Sequence, residues 1–329
     1  MPTLKGLSNR LRTLRGQLFI NTSDHHRDSI LIAAMQRSGT TWLSDIINFD
    51  GSFRSMYEPF HNRNVPQVAH FHTWQYLRPT DDSPRYVKPA ADIFEGRIRN
   101  PWISAYNTRI VAGPRIIKDV RSLMMIGWIH AHWPEMPIVL LIRHPCAVLN
   151  SLLRLRWHSN AAKEILSQPQ LMEDHLEPFR ADIQSVSRDV DDHLLAWCAN
   201  YYVALRQLAG KKVFVAFYER ILSEPHEEIP RLFSYLGRPI HDRVFTRMAA
   251  PSVQARVSRD GESSAVLRGG NLVTDWRQHI TQAEIDRAMW WLRRFGLDDI
   301  YGPGSMPLVA DLSRHRVAAS PDRSPAYSL

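Results

Sequence analysis

Short, continuous apolar runs alternate along the chain with stretches of helical periodicity. Ser29–Met35 (SILIAAM), Arg115–Lys118 (RIIK), Ile138–Ile142 (IVLLI) and Lys212–Phe217 (KVFVAF) are four such runs, all of strand length. Helical segments are expected after three of them: Trp42 to about Phe49, a segment through Ser151, and one ending at Leu236-Gly237 with the glycine as C-cap. Apolar strands alternating with helices predict an α/β fold, a P-loop-like parallel sheet with helices on both faces. Open sheets of this kind bind ligands at their carboxyl edge. The aromatic-, Pro- and Arg-rich stretches at about 60–112 and 155–190 read as insertions over that edge.

Three regions are expected: an N-terminal extension over 1–28, a single domain over 29–312, and an Arg/Ser/Pro/Ala-rich, disordered tail over 313–329. In the first 23 residues Leu4, Leu7, Leu11, Leu14 and Leu18 recur at helical spacing among Lys5, Arg10, Arg12 and Arg15, with no Asp or Glu. This pattern predicts a basic amphipathic helix. Packing on the domain, membrane-surface contact and organelle targeting all stay open for it.

Composition narrows the classes. Of 329 residues 44% are hydrophobic and 22% charged, so a core forms without staples. No apolar run approaches the ~18–20 residues of a membrane span, no secretory signal is evident, and a cytoplasmic protein is expected. Cys146 and Cys198 lack metal or redox spacing and read as reduced core thiols. His70/His72 and His130/His132 have no carboxylate or thiol cluster beside them, so no metal is expected. The net charge of +8 suits a polyanion without choosing among nucleotide, acidic glycan and nucleic acid.

The most chemical segment is Arg37-Ser38-Gly39-Thr40-Thr41, between the first strand and its helix. A glycine turn at a helix start offers unpaired N–H groups and the positive dipole end, and the hydroxyls and Arg37 add donors. An ordinary capped strand–turn–helix is the alternative. The loop lacks the first Gly and the Gly-Lys pair of G-x-x-x-x-G-K-[ST], so it fits one phosphate or phosphosulfate better than a magnesium triphosphate.

Arg37–Leu43 (RSGTTWL) resembles the 5′-phosphosulfate loop of sulfotransferases that use 3′-phosphoadenosine 5′-phosphosulfate (PAPS). Arg143-His144-Pro145 with Ser151, eight residues after the arginine, resembles that family's 3′-phosphate motif. Phe217-Tyr218-Glu219-Arg220, Pro225 and Leu236-Gly237 extend the match, as do Arg268-Gly269-Gly270 and Asp275–Thr281 more loosely. The resemblance spans roughly residues 29–300 and its motif pattern is closest to carbohydrate sulfotransferases of the Golgi GlcNAc-6-O type, here without a membrane anchor.

The resemblance implies sulfuryl transfer to a hydroxyl, with PAPS as donor, PAP as product and no metal. Arg37, Ser38, Gly39, Thr40 and Thr41 would hold the phosphosulfate. Trp42 and Tyr218 would lie by the adenine, and Arg143, Ser151, Arg268 and Gly269 would hold the 3′-phosphate. Glu58, in Tyr57-Glu58-Pro59 and 21 residues after Arg37, matches the catalytic glutamate of carbohydrate and tyrosyl-protein sulfotransferases. A strand returning to the same edge would bring it opposite the loop, with Arg37 and Lys118 keeping it ionised. Lys118 matches a basic family position, which implies contact with the sulfuryl group or acceptor. A capping or salt-bridged glutamate and a surface lysine are the plainer alternatives. The cytosolic aryl and steroid branch carries a His after this strand's Lys, whereas here the segment is Lys118-Asp119-Val120-Arg121. His61 and His144 stand next in line as base.

The acceptor implied is a carbohydrate or glycoconjugate, with Trp74, Tyr76, Trp102, Tyr106 and Trp157 as aromatic candidates for stacking or for plain core packing. A lipid, phenol or peptide acceptor, a small-molecule kinase, and a polyanion-binding module remain alternatives; nucleic acid is not an expected partner.

Overall fold

A computed structural model describes residues 18–250 and 271–312. The N-terminal helical pattern up to Gln17, Arg268, Gly269 and the tail from Ser313 lie outside the described residues.

Five parallel strands form the central sheet: β2 (Ser29–Ala33), β3 (Arg54–Tyr57), β5 (Arg115–Asp119), β6 (Ile138–Ile142) and β7 (Phe214–Phe217), in the order β3-β5-β2-β6-β7. A two-residue parallel ribbon, β1 (Ile20–Asn21) with β4 (Val111–Ala112), stands apart. Every residue of β2, β5 and β6 is buried. That is the cost-free state only for strands covered on both faces, and alternate side chains do enter two different cores.

On one face Ile30, Ile32, Ile116, Val139 and Leu141 meet α1 (Thr40–Ile47), α7 (Tyr218–Ser223) and α8 (Pro225–Tyr235) through Leu43, Ile46, Ile47, Ile221, Leu232 and Phe233. On the other, Leu31, Ile117, Leu140 and Ile142 pack with α3 (Ile126–His132), α4 (Pro145–Arg154), the twenty-residue α6 (Asp189–Leu208) and α10 (Gln282–Phe295). Further helices are α2 (Pro84–Phe94), α5 (Ala161–Leu166) and α9 (Arg243–Met248). The expected α/β parallel sheet with helices on both faces is the observed one.

Element boundaries differ in instructive ways. The strand read from Lys212 begins at Phe214, because Val213 is still turning, its N–H on the Lys211 carbonyl at 3.1 Å. The helix read after it is two helices, α7 and α8, divided at Glu224-Pro225 where proline fits the first turn of a new helix. Beyond α8, Gly237 takes φ +63 while Gly237 N–H and Arg238 N–H reach back to the Ser234 and Phe233 carbonyls. This is the left-handed ending expected of the glycine, one residue past the cap. The described part of the N-terminal extension is tied to the sheet: Arg115, fully buried, donates to the side chain of Asn21 at 3.2 Å and to Ser29 Oγ at 2.9 Å. Phe19 lies over the buried Arg54 guanidinium at 3.4 Å.

Gly237 isolates backbone strain from packing, because nothing lies within 4 Å of where its Cβ would be. We therefore expect Gly237→Ala to lower stability by about 1–2 kcal/mol, read as a lower urea midpoint with an unchanged slope.

Candidate active site

All five strands of the sheet end at the same edge, and each end carries a residue singled out in the sequence. The loop 34–39 leaves β2, Glu58 follows β3, Lys118 is the penultimate residue of β5, Arg143 follows β6, and Tyr218 follows β7. The strand order reverses direction at β2, so its loop occupies the crevice that open α/β sheets use for ligands.

The loop is held from below and from the side. Tyr201 of α6 receives the Met35 N–H on its hydroxyl at 3.1 Å and donates to the Leu141 carbonyl at 2.8 Å. The same hydroxyl is 3.4 Å from Ser38 Oγ. Ser38 is thus buried on the loop's inner side, not simply presented outward as a donor. Gly39 has φ +90, and a Cβ there would stand 2.5 Å from Tyr218 Cε2. Only glycine allows both the turn and the ring beneath it. Thr40 and Thr41 open α1, and Trp42 packs edge-on to Tyr218, 5.4 Å between centroids, with its indole N–H on the Met248 carbonyl.

The two anion corners meet. Arg143 Nη1 donates to the Arg37 carbonyl at 2.9 Å, and Arg37 Nε donates to Ser151 Oγ at 2.8 Å. The Arg143 guanidinium lies 4.4 Å from the centre of the Tyr218 ring. Its Nε is buried and has no partner among the described residues. Behind it Trp197 donates to the Arg143 carbonyl at 3.0 Å. Glu219, buried and pushed up by that burial, accepts from the His144 N–H and the Tyr301 hydroxyl.

On the far side of the sheet edge Glu58 and Lys118 are both buried, 8% and 6% exposed, so neither is a solvated surface charge. Glu58 Oε1 accepts from Lys118 Nζ at 2.5 Å, and Oε2 from Arg121 Nη1 at 3.0 Å. Burial pushes this carboxyl up, but the charges and hydrogen bonds of Lys118 and Arg121 outweigh it and hold it below the usual carboxylate range. The cations on the carboxylate are thus Lys118 and Arg121, where the sequence pointed to Lys118 and Arg37. Arg121 was not singled out there.

Burial holds down both histidines named as alternatives to Glu58. His144 is fully buried, its Nδ1 accepting the Cys146 N–H and its Nε2 on the Gly302 carbonyl, and burial holds it down to about 4. His61 is likewise held down to about 4, by burial and then by Arg121, and lies edge-on to Trp102.

Three non-glycine residues among those described adopt positive φ: Arg37 (+67), Glu58 (+41) and Arg156 (+53). All three are at this edge. Glu58 precedes Pro59, where extended backbone is the rule, so its turn is held by its surroundings. Its N–H is on the Lys118 carbonyl at 2.7 Å, and its carbonyl receives His61 N–H and the Trp102 indole. Arg156 ends α4 in place of glycine, with Trp157 N–H on the Leu152 carbonyl. This turn carries Trp157, 5.9 Å from the Arg37 guanidinium. Such strain clusters at functional sites at ~1–3 kcal/mol each.

Between α1 and β3 a cleft is lined by Ser44, Asp45, Ser55, Tyr57, Tyr106 and Lys118 among others. Tyr57 is the centre of its aromatic part, 5.1 Å from Trp102 and 4.9 Å from Tyr106. Of the other aromatic candidates, Trp74 and Tyr76 are core residues, and Trp157 is 44% exposed. Cys146 and Cys198 are free, buried thiols, Cys146 pushed up to about 12 by burial.

A profile of the sulfotransferase family matches residues 29–242. The chain belongs to the sulfotransferase family. No curated protein matches it. Among solved structures it is similar to the sulfotransferase domain from the curacin biosynthetic pathway, at 14% identity over 84% of this chain and 98% of that one, TM-score 0.44. It is also similar to a mouse sulfotransferase complexed with PAP, at 14% identity over 87% and 91%, TM-score 0.43. A third is a sulfotransferase from Mycobacterium avium, at 12% identity over 91% and 81%, TM-score 0.40.

The contact between Gly39 and the Tyr218 ring gives a direct test of the loop. Gly39→Ala should displace the turn and lower the melting temperature, since both left-handed strain and a buried clash are introduced.

Proposed function

We propose that this protein transfers a sulfuryl group from PAPS to a hydroxyl of a carbohydrate or glycoconjugate, releasing PAP, with Glu58 as general base. The observation that carries the reading is the junction of the two anion corners, where Arg143 binds the Arg37 carbonyl and Arg37 binds Ser151. The residues present fit a bisphosphorylated nucleotide. Two permanent cations and a hydroxyl converge, Arg143 keeps an unpartnered buried Nε, and Gly39 keeps the loop's backbone free of a side chain.

The donor supplies an activated sulfuryl group. Arg37 and Thr41 hold the phosphosulfate end, and Arg143 with Ser151 hold the 3′-phosphate. Trp42 and Tyr218 flank the adenine; the expected 3′-phosphate residues Arg268 and Gly269 lie outside the described residues. Glu58 accepts the proton of the acceptor hydroxyl, Lys118 meets negative charge at the sulfuryl group, and Arg37 meets the charge left on the departing phosphate. The acceptor's O–H bond breaks toward Glu58 as its oxygen bonds sulfur, and the bridging S–O pair passes to the phosphate.

Support for a sugar comes from the cleft beside Lys118, which combines the Ser44 and Ser55 hydroxyls with the Tyr57 and Tyr106 rings, Asp45 there being paired with Arg247. Aromatic faces pack against sugar rings while polar groups take their hydroxyls. The Tyr57-Glu58-Pro59 context leans the same way.

Two experiments test the reading. Each charge-assisted bond to the 3′-phosphate contributes about 1.5–3 kcal/mol. Arg143→Ala should therefore weaken PAP binding roughly 10- to 150-fold while leaving a nucleotide without the 3′-phosphate almost unaffected; equal losses for the two ligands refute the assignment. Stabilisation by ATP with magnesium, and not by PAP, would favour a kinase.

For Glu58 the sign of the pH effect is fixed. A base works deprotonated, and this carboxyl is held below its usual range, so kcat/KM should stay flat through neutral and mildly acidic pH. A base of ordinary imidazole character would instead lose rate as pH falls through about 6.5. Glu58→Gln should cost about 10²–10⁴ in kcat, and near-normal turnover in that variant removes Glu58 from the mechanism.

A further inference from the structure

We infer that Arg121 is a positioning residue for Glu58: it grips Oε2 permanently and thereby assigns Oε1 to the acceptor's proton. The inference rests on the reading of Glu58 as the base. Each oxygen has its own cation, Oε1 with Lys118 and Oε2 with Arg121. The two cations differ in what else holds them.

Lys118 lines the cleft and carries its ammonium on a flexible four-carbon stem, 4.4 Å from the Tyr57 ring. It can be drawn toward an incoming anionic group, and Tyr57 and Tyr106 line the same space. Arg121 is not among the residues lining that cleft. Its backbone N–H is fixed on the buried Asp119 carboxyl at 2.7 Å; its side chain is 16% exposed against 8% for Lys118, and its Nε is buried with no partner among the described residues. A second N–H, that of Phe60 two residues beyond Glu58, binds the other oxygen of the same Asp119 at 3.1 Å. Asp119 therefore pins the segment carrying the base and the segment carrying its clamp to one point.

The charges facing Glu58 are Lys118, Arg121, Asp119 and, as a neutral ring, His61. Release of Lys118 strips Oε1 of its charge partner on the cleft side and raises its affinity for a proton, while Arg121 keeps the carboxylate from turning with it. The proton that leaves the acceptor's oxygen goes to Oε1, and no other co-reactant is needed. An unclamped Glu58 would follow Lys118 and lose its aim.

The test uses the full chain with [5-¹³C]glutamate labelling, Glu58 being assigned by its loss in Glu58→Gln. In the donor-free protein Arg121→Gln should raise the Glu58 carboxyl midpoint. In the assay it should lower kcat about 100-fold and move the acid limb of kcat/KM to higher pH, with the Kd for PAP unchanged. Arg121→Lys restores the charge without the planar fork. It should return the midpoint toward wild type yet recover little of the kcat.

An Arg121→Gln enzyme with normal kcat and an unmoved midpoint overturns the inference. So does a loss of PAP binding that matches the loss of kcat, because Arg121 would then be a prop of the whole site. Full recovery of kcat by Arg121→Lys also overturns it, reducing the role to charge. Full activity in Glu58→Gln sinks the base assignment and this inference together, whereas an essential Glu58 beside an indifferent Arg121 sinks the inference alone.

Discussion

Parallel strands all deliver their carboxyl ends to one edge, and in this chain that constraint places the chemistry. An antiparallel partner would send its last residue to the opposite side. With β3, β5, β2, β6 and β7 all aligned, five separate stretches of sequence each supply residues at or just past a strand's end to the same edge. Glu58, Lys118, the loop at 37–41, Arg143 and Tyr218 are gathered by topology before any of them makes a contact. The register adds precision: Tyr57 pairs with Lys118, so Glu58 N–H falls on the Lys118 carbonyl and the two side chains leave the sheet together. Burial on both faces makes that register rigid, since a one-residue slip would turn an entire apolar set the wrong way.

Edge geometry alone would leave the loops loose, and the second constraint is a layer of aromatic side chains beneath them. Tyr201 ties the Met35 N–H and the Leu141 carbonyl, which belong to the connections after β2 and to β6 itself. Tyr218 fills the space under Gly39 and carries the Arg143 guanidinium on its ring. Trp197 fixes the Arg143 carbonyl. A positive edge of this kind repels itself when empty. Backbone carbonyls and ring faces are neutral partners that hold arginines in place without cancelling the charge an anionic ligand needs. Arg143 is held this way, through the Arg37 carbonyl and Tyr218.

How much of this could be read from the chain depends on how local each cause is. The strands at 29, 115, 138 and 214 are legible because a strand buried on both faces writes its own apolar run. The loop at 37–41 is legible because its turn, its glycine and its helix start are consecutive. Glu58 is found only through a spacing that matters once β3 is known to return beside β5. Tyr201 lies 163 residues from Ser38 and sits on a helix whose apolar pattern treats it as one more core residue. Arg121 looks like a polar residue in a turn until Glu58 is placed opposite. The β1–β4 ribbon, two residues on each side, is too short to leave a periodic mark. Leu18 fits the helical spacing of the leucines before it, yet the chain is already extended by Ile20. There the contacts of Phe19 with Arg54 and of Asn21 with Arg115 override local propensity.

For Glu58 in its proposed role, the buried cluster also decides what sort of base it would be. A carboxylate held by two cations is easy to keep ionised and correspondingly poor at taking a proton. A free carboxyl in the same apolar pocket would be a stronger base but would spend part of its time protonated and would leave Lys118 and Arg121 as uncompensated buried charges. The arrangement resolves the conflict only if one of the two ion pairs is temporary. Of the two cations, one lines the cleft on a flexible stem, and the other lies outside the cleft on a residue whose backbone N–H is tied to Asp119. On the proposed reading, a resting pair that satisfies burial, with one partner free to be drawn off by an anion, would let a single glutamate be stably charged before the reaction and basic during it.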